Sequence, residues 1–266
     1  MLSSLAILTE GSDMQNLRPY FPLMALFVVI GVNAAANIVP INGHQTGELS
    51  DLNPTGFTPS GYVFSIWSLI YLGLAVYAFS FLFGTDAVKS RAQTVSQLFL
   101  LNAVGNSAWI FAWHYRLEEL SLVMMLVILV TLVMIHSRLR KQRSPTFRQF
   151  MAIDGPFSLY FGWITTATLA NLGAVFHAQQ FYPFALSMDQ WALITVISAI
   201  AIYVWMGVRT NDIVYCCVFI WASYGIYLRP EGISEPVRLA AVTGTALLVL
   251  TVMWIFVQLR MEPHDI

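Results

Sequence analysis

Apolar residues in this chain fall into eight long blocks separated by short polar breaks. The blocks cover residues 20–39, 60–83, 94–113, 120–137, 155–176, 190–207, 213–228 and 238–259. At roughly 16–24 residues apiece they suit α-helices crossing a hydrocarbon core of ~30 Å, and they are too long for barrel strands. The expected fold is therefore all-α, a polytopic membrane helix bundle, with the seventh block the shortest. Most breaks are brief. The exception is residues 40–58, rich in Gly, Asn and Pro, a loop of the length and composition that often covers a functional site.

The second block has an unusual entrance and an unusual face. Thr58 is expected as its N-cap and Pro59 as its first helical residue, where a missing N–H costs nothing. Beyond Gly61 no charge appears until Asp86. Phe64, Trp67 and Tyr71 recur at i, i+3 and i+7, so three rings share one face. Lipid would be served as well by Leu and Val. The choice lies between ordinary helix packing and a bundle interior that holds something flat and apolar.

Polar residues within the blocks sharpen the choice, because in hydrocarbon they must face protein or a cavity. In the third block Asn102, Asn106, Trp109 and Trp113 form one stripe, polar at one end and aromatic at the other. The fifth repeats the geometry with Pro156, Tyr160, Trp163, Ala167 and Asn171, and the first adds Asn33 and Asn37. Each amide alone is accounted for by an interhelical hydrogen bond of roughly 0.6–2 kcal/mol, but close helix packing favours small residues. Wide rings and amides on three helices together predict a cavity with aromatic walls.

Composition agrees with the membrane reading: 58% of residues are apolar, 10% charged, and the mean hydropathy is +0.68. A formal charge of −1 without a basic patch excludes a nucleic-acid partner; the expected partners are the lipid bilayer and a lipophilic small molecule. With eight spans, one side holds Arg18, Lys89, Arg91, Arg138, Arg140, Lys141, Arg143, Arg148, Arg209 and Arg260, and the other only Arg116, Arg229 and Arg238. That bias predicts both termini in the cytoplasm and the long first loop outside. The basic cluster at residues 138–143 then reads as a topology anchor rather than a ligand site, with anionic headgroups as a compatible contact. The first twenty residues carry acids and no basic start, and are expected as a short non-membrane tail.

Other chemistry competes poorly. The blocks contain no Asp, Glu, Lys or Arg at depth, which argues against a proton-driven pump or a charged-ring channel. Adjacent Cys216 and Cys217 read as packing residues. His114 and His136 lie near block ends with no second His at metal-ligand spacing, so no metal site and no catalytic residue is assigned.

Three segments carry a resemblance. TPSGYVFSIWSLIYLGL at residues 58–74, LLNAVGNSAWIFAWH at 100–114 and GPFSLYFGWITTATLAN at 155–171 resemble the second, third and fifth helices of the tryptophan-rich sensory protein family, TspO and the translocator protein. The resemblance implies a five-helix TspO-like core over residues 20–176. About three further transmembrane helices at 189–260 make the chain an extended relative. It also implies a pocket beneath the first loop for porphyrins, haem-related tetrapyrroles, sterols or drug-like aromatics. The residues placed on it are Phe64, Trp67, Tyr71, Asn102, Asn106, Trp109, Trp113, Tyr160, Trp163 and Asn171. No cofactor is implied beyond such a ligand, the bacterial cytoplasmic membrane is the expected location, and a homodimer is left open. The first loop lacks the family's aromatic-rich Trp-Tyr stretch. Three functions follow as alternatives: a binding, sensory or transport protein for tetrapyrroles or similar flat lipophiles; an enzyme degrading porphyrin in light through Trp67 and Trp163; and an unrelated small-molecule transporter or membrane scaffold.

Overall fold

A computed structural model describes residues 18–52, 55–142, 144–229 and 231–261. The N-terminal tail, Asn53 and Pro54 of the first loop, and Arg143 of the basic cluster lie outside the described residues. In chain order the helices are α1 (Phe21–Ile38), α2 (Thr46–Asp51), α3 (Ile66–Phe83), α4 (Asp86–Gln93), α5 (Ser96–His114), α6 (Glu118–Arg140), α7 (Gly155–Ala178), α8 (Met188–Thr210), α9 (Ile213–Tyr227) and α10 (Glu235–Met261). Eight of these coincide with the eight apolar blocks, and no strand occurs among the described residues. The chain is an all-α, polytopic membrane protein.

The eight helices are not equal. By length and composition six can cross a membrane; α5 qualifies only when joined to α4 across a 56° bend. Helix α9 has 15 residues, about 22 Å at ~1.5 Å per residue, short of a ~30 Å hydrocarbon core.

Local chemistry sets several ends. Ser187 and Gln190 form a capping box at the start of α8, and Asn211, in the left-handed region at φ 52°, closes its end. Asp212 then caps α9 by accepting the Tyr215 N–H at 3.0 Å. Pro156 cannot donate to the preceding turn, and the chain just before α7 widens into a π-turn over Phe150–Asp154.

The second span departs from the expected start. Thr58 does not cap it; its hydroxyl pairs with that of Thr55 at 3.1 Å. The helix is entered instead through a 3-10 turn, Gly61–Ser65, with no side-chain cap at Ser60. The reason lies in tertiary structure: the Ser60 N–H and hydroxyl both donate to the Gly225 carbonyl of α9, at 3.1 and 3.0 Å.

Helices α1, α3, α5, α6 and α7 close a ring, α1 packing on α3 and α5, α5 on α6, α6 on α7 and α7 on α3. Helices α8, α9 and α10 pack on one another and meet the ring mainly where α9 lies on α7. Close approach there depends on Gly162, where a Cβ would stand 2.8 Å from Val218 Cγ2. Tyr203 of α8 donates to the Gly162 carbonyl, and Tyr215 of α9 to Thr165 at 3.0 Å. Cys216 is buried, Cys217 exposed, and both are free.

Candidate functional site

The interior of the ring, at the end where α5 and α7 finish, holds a cavity of about 50 Å³. Four tryptophans form its walls: Trp67 from α3, Trp109 and Trp113 from α5, and Trp163 from α7. Phe64 and Asn171 join them, while Thr46 and Ser50 of α2 and Thr55, Thr58 and Pro59 of the first loop form the roof. Trp67 and Trp163 meet edge to face with centroids 6.2 Å apart, and Phe64 lies edge-on to Trp163 at 5.8 Å. Trp109 and Trp113 stack at 6.1 Å, one turn apart on their helix. Such contacts add roughly 0.5–1.5 kcal/mol per pair beyond the area they bury.

The two indoles of α5 are also fixed through their N–H groups. Trp109 donates to Asn171 Oδ1 at 3.2 Å, and the Asn171 amide donates to Ser121 of α6 at 2.8 Å. Trp113 donates to the Thr46 carbonyl at 3.3 Å and so ties the roof to α5. His114 completes that tie: its ring nitrogens lie 3.0 Å from the Ile41 carbonyl and 3.0 Å from the Thr46 hydroxyl. Trp163 differs. Its indole N–H is buried and has no hydrogen-bond partner among the described residues. An unmet donor inside a protein costs about 1–3 kcal/mol.

The remaining sequence-predicted residues stand behind or beside these walls. Tyr71 stacks on Trp67 at 5.5 Å, and Tyr160 meets it edge-on at 5.9 Å. Asn106 links three helices: it accepts from Asn33 of α1 at 2.9 Å and donates to the Tyr160 hydroxyl of α7 at 2.9 Å. Asn102 does not join them. It turns to α6, donating to Thr131 at 2.8 Å and the Ile128 carbonyl at 3.2 Å, because four residues of helix rotate a side chain about 40° around the axis. Asn37 is exposed and bonds back to the Asn33 carbonyl of its own helix at 2.8 Å. Among the wall residues, Met125 and the roof threonines and serine carried no periodic signal, since the roof belongs to a loop and a six-residue helix.

A second cavity, of about 520 Å³, lies at the opposite end of the bundle, where α6 finishes and α7 begins. It is polar. Arg91 binds Asp154 through two hydrogen bonds, at 2.6 and 2.9 Å, and reaches the Leu139 carbonyl at 3.2 Å. Asp212 accepts from Ser158 of α7 and lies 3.1 Å from His136 Nε2 of α6. Burial pushes the Asp212 carboxyl up, but hydrogen bonds from His136, Ser158 and the Tyr215 N–H outweigh it and hold the group below its ordinary value. Neither group of side-chain partners was legible in the sequence, where the acids stand at block ends and Arg91, His136 and Ser158 lie more than fifty residues from the acid each one meets. Arg140 and Gln142, from the basic cluster read as an anchor, also line this cavity.

A ring of five helices closing on an aromatic cavity, with first-loop residues as its roof, defines a class of multi-pass membrane proteins with a ligand-binding, sensory or transport role. The sequence model of one such family, described as TSPO-like protein, matches residues 20–254. The chain belongs to that family, and the match runs through α8 and α9 as well as the five-helix ring. Comparison with curated proteins and with solved structures finds no match.

Proposed function

We propose that this protein binds a tetrapyrrole, or a similar flat lipophilic ligand, in the cavity walled by Trp67, Trp109, Trp113 and Trp163, and acts as a sensor or carrier. The observation that carries the reading is the buried, unpartnered indole N–H of Trp163 on an aromatic wall. A ligand offering apolar faces and a hydrogen-bond acceptor satisfies that donor and gains stacking surface at once. At about 50 Å³ the cavity is well below the roughly 300–1,000 Å³ typical of ligand pockets, so binding requires the roof to move outward. In this reading residues 20–176 hold the ligand and residues 189–260 support them. Both termini face the cytoplasm.

Titration of the purified protein with protoporphyrin IX, followed by tryptophan quenching in the dark and then by absorbance in light, tests the proposal. Saturable quenching with a stable Soret band is expected. Trp163→Phe, which keeps an aromatic ring but removes the donor and part of the stacking surface, should weaken binding at least about fivefold, the loss that one neutral hydrogen bond alone predicts. Trp67→Ala should weaken it more than Trp67→Phe, because Phe keeps much of the stacking surface. Light-dependent loss of the Soret band would favour the degrading enzyme. No quenching by protoporphyrin would overturn the assignment.

A further inference from the structure

The junction between the roof and α3 is held from outside the five-helix ring. Helix α9 presents its last two turns to it. The Gly225 carbonyl accepts both the N–H and the hydroxyl of Ser60. Trp221 donates its indole N–H to the Val63 carbonyl at 3.0 Å and meets Tyr62 edge-on at 5.1 Å. Just beyond α9, Arg229 donates to the Thr58 and Pro59 carbonyls, each at 3.3 Å, and pairs with Asp51 of α2 at 3.1 Å. Asp51 is mostly exposed, so this pair contributes little by itself. The weight lies with the hydrogen bonds to backbone carbonyls, all of them made between residues 58–63 and either α9 or Arg229 just past its end. The fit is also steric: a Cβ on Gly225 would stand 2.1 Å from Val63 Cγ2 and 3.4 Å from Pro59 Cβ.

Two of the clamped residues, Thr58 and Pro59, line the aromatic cavity directly, and the clamped turn leads into Phe64 and Trp67. From this geometry we infer that Trp221, Gly225 and Arg229 are positioning residues for the ligand cavity, and that α9 sets how readily its roof opens. The inference rests on the lipophile-binding reading for the identity of the occupant, though not for the clamp. A cavity of about 50 Å³ admits a flat ligand only when the roof shifts, and separating residues 58–63 from α9 is the step that frees it. Loosening the clamp therefore speeds entry and exit together, with less change in affinity.

The test uses the full chain in detergent, with Arg229→Gln and, as a milder variant, Trp221→Phe, which keeps an aromatic ring against Tyr62 and loses the N–H. Hydrogen exchange of the amides at residues 60–65 is measured first, with thermal melting as the control. Protoporphyrin IX association and dissociation are then followed by stopped-flow quenching. For Arg229→Gln, exchange in this stretch should rise on the order of tenfold, the scale set by losing charge-assisted hydrogen bonds, while exchange in α5 and α6 stays at the wild-type level. Both ligand rate constants should rise by several-fold, and Kd should move less than either. Unchanged exchange at residues 60–65 in both variants overturns the clamp. So does faster exchange with wild-type ligand kinetics. If the wild type takes up no protoporphyrin, the ligand assignment fails, and the exchange result alone decides whether α9 holds the roof.

Discussion

Asn106 offers the sharpest test of how the aromatic wall is supported. It is fully buried and joins α1, α5 and α7 through two hydrogen bonds of 2.9 Å. Replacing it with Leu keeps similar bulk but removes both bonds. Asn33 retains its bond to the Val29 carbonyl at 2.9 Å, so the larger loss falls on the Tyr160 hydroxyl. Interhelical hydrogen bonds in membranes contribute ~0.6–1.7 kcal/mol each, so Asn106→Leu should destabilise the protein by about 1–3 kcal/mol. The Asn106–Tyr160 share is isolated by a double-mutant cycle with Tyr160→Phe, measured by detergent-denaturant unfolding, and should give a coupling of roughly 0.5–1.5 kcal/mol. Tyr160 also braces Trp67 edge-on, so Asn106→Leu should weaken protoporphyrin quenching as well. A coupling near zero, or a Leu variant as stable as wild type, would refute the view that this amide holds the three helices in register.

The other predictions concern the opposite end, the α7–α9 seam and the topology. Asp212→Asn should lower the melting temperature at pH 7 by several degrees, since a buried carboxylate with three donors contributes about 2–3 kcal/mol. Because the folded carboxyl lies below its ordinary value, its contribution is full above about pH 4 and fades as pH falls further. Melting curves between pH 5 and 3 should therefore converge for wild type and Asp212→Asn, and a constant gap would count against the network. Gly162→Ala should cost about 1–3 kcal/mol by forcing α7 from Val218 of α9; equal stability in an unfolding titration would show that the seam tolerates a methyl group. Reporter fusions after residue 45 and at the C-terminus should lie on opposite sides of the membrane, and the same side for both would sink the eight-helix topology.

The helices were legible because hydrocarbon demands long apolar blocks, and the tryptophan walls because aromatic rings recur at helical spacing. Phe64, Trp67, Trp109, Trp113, Trp163 and Asn171 line one cavity, whereas Tyr71, Asn102, Asn106 and Tyr160 stand outside its lining. What the spacing could not give is the partner of a residue at the edge of a stripe. Asn102 and Asn106 are one turn apart, yet one faces α6 and the other α1 and α7. Loop geometry was equally hidden. Thr58 and Pro59 read locally as a helix start, but bonds to residues more than 160 positions away place the start at Gly61. The joining of His136, Ser158 and Asp212 from three separate segments has the same cause, since no local rule pairs residues so far apart in the chain.

The shortness of α9 has a consequence for the surrounding lipid. Its two ends are marked by Asp212 and Arg229, both tied to the rest of the protein, so neither end can ride outward to meet a thicker membrane. At about 22 Å the helix falls ~8 Å short of an average hydrocarbon layer, a gap that is met by thinning of the lipid beside it or by snorkelling of flanking side chains, at a fraction of a kcal/mol for each ångström. Neighbouring α8 and α10, of 23 and 27 residues, face no such shortfall. The mismatch is therefore one-sided. A thicker bilayer would load one flank of the bundle, along the same helix that the clamp inference assigns to the roof.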